Sequence, residues 1–202
     1  AGDMVRWYVT ASTSGGERTR EPPFTNTTES AEYLGTVVTD PNINANQPVL
    51  HWFTSDIANA DRRVGTRASL FFKGRFYDNI FCRIRGQSTA NWPKHKYKFD
   101  FYRGGHFFWK EGAPNVEEFN VNSHFRDGYL RENAIFAFLN QAGSPAPETM
   151  YIWIKRNGKD MGLFSFVEQV DEEFLGRHGF DASGALYKAI NVPATLSPTV
   201  NT

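Results

Sequence analysis

The stretch from Cys82 to Phe101, CRIRGQSTANWPKHKYKFDF, gathers the residue types able to hold an anion. Gly86, Gln87, Ser88 and Thr89 stand between two alternating runs. They offer a glycine for close approach, hydroxyls and backbone N–H groups, the parts from which phosphate cradles are made. From Lys73 to Arg103 there are eight Lys or Arg against two Asp, whereas the 202-residue chain carries 22 basic and 22 acidic side chains. A local surplus inside a neutral chain points to an anionic partner at that place. A solvated hairpin with its cations on the outer face has the same composition, so the charge pattern alone leaves both readings open.

Other chemistries have no foothold. The chain has no GxSxG, Walker A or GxGxxG motif, and its five histidines lack metal-ligand spacing. The single Cys82 excludes an intrachain disulfide and a Cys-based zinc site. No close carboxylate pair suggests a glycosidase or a metal cage, and no apolar run reaches the roughly 18 residues of a membrane span. The opening Ala1-Gly2-Asp3, without an initiator Met, reads as the start of a piece cut from something longer.

The anion-facing residues need strands to hold them. Ile80, Cys82 and Ile84 alternate with Phe81, Arg83 and Arg85, and Tyr97, Phe99 and Phe101 alternate with Lys96, Lys98 and Asp100. That period of two predicts half-buried strands with an apolar face and a charged one. Further strands are predicted at Leu50–Phe53, Arg67–Arg75, Met150–Lys155, Met161–Val167 and Leu186–Lys188. Asn157-Gly158 is the hairpin turn of the pair near the end.

The best helix runs from about Asp127, a plausible N-cap, to Gln141. Its predicted inward arc is Phe138, Ala142, Ile135, Leu139 and Phe136, with Arg131 and Glu132 inside that arc. Two inward charges need partners. Glu132 is expected to meet Lys98, or failing that Arg85 or Lys96, although a purely structural ion network would also satisfy it.

Residues 1–23 read as the end of a preceding β-sandwich, its last hairpin, and residues 24–48 as a Pro/Thr/Asn/Ser linker. Residues 49–190 form the compact unit, and residues 191–202 the start of a continuation. The fold class expected is α+β: a mainly antiparallel sheet packed with one principal helix.

RIRGQST, WPKHKYKFDF, FNVNSHFRDGYLRENAIFAFLNQAGSPAP, IWIKRNGKDMGLFSFVEQVDEEFL and ALYK occur in this order. Together they resemble the spore coat protein H (CotH) family of atypical protein kinases, over roughly Val49 to Ala189. The resemblance implies a kinase-like small lobe, with ATP and Mg as cofactors. It places Arg85, Gly86, Gln87, Ser88 and Thr89 in a loop over the phosphates and Lys98 on a phosphate. Lys94 and Lys96 compete with Lys98 for that role. Glu132 would be its ion-pair partner. Glu168 to Asp171 would be a hinge beside the adenine, and Tyr187 and Lys188 fit the family's L-Y-K block, with Lys188 a nucleotide-binding residue.

Gln87 and Thr89 depart from the family's commoner Asn and Ser. The metal-holding and hydroxyl-positioning acids are expected beyond residue 202, so this chain alone is expected to transfer no phosphate. The family also implies a secreted or cell-surface location, a protein substrate, contact with the rest of a multidomain chain, and no nucleic acid or membrane span. Two other readings remain: a non-catalytic surface, adhesion or spore-coat module on the same fold, and a nucleic-acid binder using the basic sheet, which would weaken steeply with salt.

Overall fold

The computed structural model describes residues 2–39, 46–125, 128–190 and 195–199, with backbone alone for 188–190 and 195–199. Its centre is a closed barrel of seven strands. Around the wall the order is β10 (Thr149–Arg156), β11 (Lys159–Glu168), β9 (Glu118–Asn122), β8 (Lys96–Asp100), β7 (Arg75–Arg85), β6 (Thr66–Phe72) and β5 (Val49–Phe53). All neighbours are antiparallel except β5 and β10, which close the wall in parallel through Trp153↔Val49 to Arg156↔Trp52. Alternation fills the inside with Trp52, Leu70, Phe72, Ile80, Cys82, Tyr97, Phe99, Phe119, Ile154, Phe164 and Phe166, all buried.

Each end of the barrel is stoppered. At one, α1 (Ile57–Ala60) is followed by Asp61, whose carboxylate accepts from Arg156 at 2.6 and 3.1 Å and from the Tyr97 hydroxyl at 2.7 Å. At the other, Phe107 stacks on Phe119 at 4.4 Å and Trp109 on Phe166 at 4.8 Å. The lumen is therefore packed core, and chemistry belongs on the outside.

This architecture corrects the expected α+β kinase-like small lobe. An open sheet needs a helix to cover its apolar face, but a sheet closed on itself covers that face and loses its edges. The principal helix, α2 (Arg131–Gln141), accordingly buries no residue. Ile135 and Phe138, expected to point inward, are 50% and 69% exposed. The expected cap, Asp127, lies outside the described residues.

The N-terminal hairpin exists as β2 (Val9–Ser12) paired with β3 (Arg18–Glu21), with β2 exposed throughout. The segment read as a linker contributes β4 (Leu34–Val37), paired with β1 (Met4–Trp7). Buried Asp78 straps this segment to the barrel by accepting from the N–H groups of Glu32 at 3.0 Å and Tyr33 at 2.9 Å. Beyond the barrel, α3 (Glu172–Arg177) precedes a ribbon of β12 (Leu186–Ile190) and β13 (Thr195–Thr199). Among the described residues no helix is long and apolar enough to cross a membrane.

Candidate functional site

The barrel wall sorts the charged stretch by register. Interior Tyr97 and Phe99 leave Lys96, Lys98 and Asp100 outside, opposite Arg85, Arg83 and Phe81 on one neighbour. On the other neighbour, Lys98 faces Asn120 and Asp100 faces Glu118. Asn122, two residues further along β9, faces Ser165 of β11.

At the α1 end of the wall, β7 passes into the Gly86–Asn91 loop, which includes a single 3-10 turn at Ser88–Asn91. Gly86 has φ +93°, and a Cβ there would collide with Thr89 Oγ1, so the loop closes tightly only because residue 86 has no side chain. Arg63 fixes the loop from below through the Gly86 carbonyl. Arg85 stands at its foot and donates to Asn122 Oδ1 at 3.3 Å. The Asn122 amide in turn donates to Glu132 Oε1 at 2.6 Å. Burial lowers the Arg85 pKa from its usual range, and the nearby Glu132 carboxylate pulls it back. Glu132 thus reaches Arg85 of β7 through the Asn122 amide.

Residues that the sequence reading did not single out complete the seat of α2. His124, buried with φ +51°, contacts Ser165 Oγ at 2.6 Å through Nε2, and the same nitrogen is 3.8 Å from Glu132 Oε2. Ser165 donates to Asn133 Oδ1 at 2.6 Å, and the Tyr151 hydroxyl to the Tyr129 carbonyl at 2.7 Å. Ser165 is wholly buried, so this contact fastens a helix and offers no accessible nucleophile. The alternation Phe119-Asn120-Val121-Asn122 was the available signal for the two asparagines.

Lys98 lies elsewhere on the wall. Its ammonium is 3.0 Å from Asp100 Oδ1 and also pairs with Glu118. Burial and the hydrogen bond to Asp100 push the Glu118 carboxyl up to about 7, against the pull of Lys98. Lys94 is turned away, donating to the Leu163 carbonyl at 2.7 Å over the Phe164 ring, and burial lowers its pKa. Lys96 lies beside Arg85 in register, 5.4 Å from the Trp92 ring centre.

Glu168 is at the far end of β11. It accepts from Arg177 Nε at 2.9 Å and Nη2 at 2.5 Å, and from the Glu148 N–H at 2.9 Å. Asp171 caps α3 by accepting from the Phe174 N–H at 3.2 Å, and burial pushes its carboxyl up to about 7. One of its oxygens and one each from Glu172 and Glu173 lie within 4.8 Å of one another. Lys188 falls in β12, and its side chain is outside the described residues. The structure therefore brings Arg85, the Gly86–Thr89 loop and Glu132 together, and holds Lys98 and Glu168 in separate carboxylate pairs.

A family model described as CotH kinase protein matches residues 82–199, more than half of the chain. The inner spore coat protein H of Bacillus subtilis (strain 168) is 29% identical over 120 residues, covering 59% of this chain. This chain spans 31% of that relative's length. The matched region begins inside β7 and takes in the loop, the basic strand, β9 and α2, the elements that build the outer-face site. The chain belongs to the CotH kinase protein family.

Proposed function

We propose that the outer face of β7, β8 and β9 binds the phosphates of ATP, as the nucleotide-binding part of a protein kinase. The whole protein would transfer phosphoryl groups to Ser or Thr of secreted or surface proteins. One observation carries the reading: Arg85, Asn122 and Glu132 form a continuous cation–amide–carboxylate chain at the foot of the Gly86–Asn91 loop, with Lys96 beside Arg85.

The residues fit a phosphate group on physical grounds. Gly86 lets the loop turn with the Thr89 hydroxyl standing where a Cβ would be, and Arg85 and Lys96 supply adjacent charge. Glu132 fixes Arg85 through Asn122, so the guanidinium is ordered before a ligand arrives. Magnesium bound with the nucleotide would supply charge neutralisation across the phosphates. Lys98 joins the phosphates only by leaving Asp100 and Glu118, and Glu168 supports the end of β11 through Arg177.

The test is calorimetric titration of Mg-ATP into the chain. A hydrogen bond to a charged group is worth ~1.5–3 kcal/mol, so Arg85→Ala and Lys96→Ala should each weaken binding about tenfold or more. Lys73→Ala should leave it unchanged, because Lys73 donates to the Trp109 carbonyl at the opposite barrel end. Equal affinity in all variants, or no binding at millimolar ATP, overturns the proposal. The second outcome favours a non-catalytic spore-coat module, the reading that the relative's name supports. Coat or surface location belongs to either reading.

A further inference from the structure

Asn26-Thr27-Thr28 is the one complete Asn-X-Ser/Thr triplet in the 202 residues, and the phosphate site makes no use of it. Its spacing is the acceptor signal for an Asn-linked glycan. Such triplets also arise by chance, so the local structure has to decide. Residues 23–29 are all exposed, and a sugar chain leaving the Asn26 amide would displace no core side chain. The turn is nonetheless fixed. The Asn26 carbonyl accepts from the Ser30 N–H at 3.2 Å, and the Ser30 hydroxyl accepts from the Thr25 N–H at 2.9 Å. Two bonds tie it to the barrel: Asn79 Nδ2 donates to the Ser30 carbonyl at 2.9 Å, and the Arg103 N–H to the Thr28 carbonyl at 3.2 Å. Within the turn the triplet's own side chains meet. Asn26 Oδ1 accepts from the Thr28 hydroxyl at 2.6 Å and from the Thr28 N–H at 2.8 Å, an Asx-turn closed by both donors. Asn26 Nδ2 donates to Glu29 Oε2 at 2.9 Å.

We propose that Asn26 is the acceptor of an Asn-linked oligosaccharide, taken from a lipid-diphosphate-linked sugar donor by a membrane-bound glycosyltransferase. A carboxamide nitrogen is a poor nucleophile, because its lone pair is shared with the carbonyl. Two donors on Oδ1 stabilise the negative charge that gathers there as Nδ2 loses a proton, and the Glu29 carboxylate stands where that proton leaves. In the transfer Nδ2 attacks the anomeric carbon of the donor sugar. The N–C bond forms, the C–O bond to the diphosphate breaks, and the lipid diphosphate leaves with that electron pair. The Nδ2 proton goes to a base, and nothing is oxidised or reduced. The proposal rests on the exported location that the kinase and coat readings share, and not on nucleotide binding. Asn79 near the start of β7 and Arg103 beyond β8 place the turn towards the Phe107 end of the barrel. The Gly86 loop lies at the α1 end, so a glycan on Asn26 leaves the phosphate site open.

For the experiment, the whole chain is translated behind a cleavable export signal into rough microsomes. The product is compared with and without an amidase that removes Asn-linked glycans. One glycan per chain is expected, absent in Asn26→Gln, Thr27→Pro and Thr28→Ala and retained in Thr28→Ser, which keeps the hydroxyl. A parent chain that gains no glycan overturns the proposal, and so does a glycan that survives Thr28→Ala. The second arm takes the protein from the cells that make it and weighs the tryptic peptide of residues 21–62. Amidase-dependent conversion of Asn26 to Asp is expected there. An Asn26 found bare in that protein overturns the proposal even where the microsomes modify the chain. Mg-ATP titration reads the kinase proposal separately: Asn26→Gln should bind nucleotide as the parent does, whichever way the glycan result falls.

Discussion

Replacing Glu168 by Gln tests whether this carboxylate serves the fold or a ligand. Its two oxygens receive Arg177 Nε and Nη2 side by side, and the second oxygen also receives the Glu148 N–H. The carboxylate side chain is 3% exposed and that of Arg177 16%, so the pair is screened by little water. The same guanidinium donates to the Ala146 carbonyl at 3.1 Å, which ties β11, α3 and the 146–148 segment into one knot. Gln keeps the shape but removes the charge, and it turns an NH₂ towards a donor. Breaking a buried pair from one side costs about 3–5 kcal/mol. Because Gln keeps one acceptor, the lower figure, ~3 kcal/mol, is expected here. For a chain of this size that is a fall in Tm of roughly 6–12 °C.

Urea unfolding followed by fluorescence gives the free energy, and Mg-ATP titration of the same variant gives any ligand effect. The double variant Glu168→Leu/Arg177→Met should recover much of the loss, because it leaves no unpaired charge. A loss below about 1 kcal/mol, within the range of an ordinary exposed pair, would refute the structural assignment. If such a stable variant also lost nucleotide affinity, Glu168 would face the base, as the family resemblance implies.

Two further expectations follow from exposure and from burial. Phe138→Ser should change stability by no more than about 0.5 kcal/mol in urea unfolding, because the ring is 69% exposed; a loss above 2 kcal/mol would mean that the helix packs by its apolar arc. Asp171 has a folded pKa raised from 3.8 to about 7, chiefly by burial, so the folded state holds its proton more tightly than the unfolded chain. Its contribution should be fully present below pH ~4 and lost as the pH rises towards ~7, by an order of 1–3 kcal/mol after sharing with Glu173. Asp171→Asn, which still caps α3, should flatten that slope in chemical unfolding measured at several pH values, and an unchanged slope would remove Asp171 as its source.

Most of the wall was legible. Strong period-two alternation marked β7 and β8, and the Asn157-Gly158 turn marked the β10–β11 hairpin, because these strands show one face to an aromatic core and the other to water. The strand left unrecognised was β9. Phe119-Asn120-Val121-Asn122 has the same alternation, but it is short and polar, and it follows a long irregular segment that carries the plug of Phe107 and Trp109. Without β9, the strands around Lys98 and those around Asn157 cannot join, and closure of the barrel is invisible. Closure also depends on the parallel pairing of β5 with β10, a contact between segments about a hundred residues apart that no local pattern encodes.

The helix shows why one missing strand also displaced the site. Its apolar arc points inward only if a half-covered sheet offers it an apolar surface. The surface actually beneath α2 is the outer wall of a barrel, lined by Asn122, Ser165 and His124. A polar wall selects the polar side of the helix, so Glu132 and Asn133 turn in and Ile135 and Phe138 turn out. Glu132 is inward for a different reason from an apolar arc: it accepts from Asn122, and that link leads to Arg85 of β7. Lys98, two register positions along β8 from Lys96, answers to Asp100 and Glu118 instead. Alternation could say that both lysines face outward. That Lys98 meets Glu118 was decided by β9, the strand that supplies Glu118 to one end of the wall and Asn122 to the other.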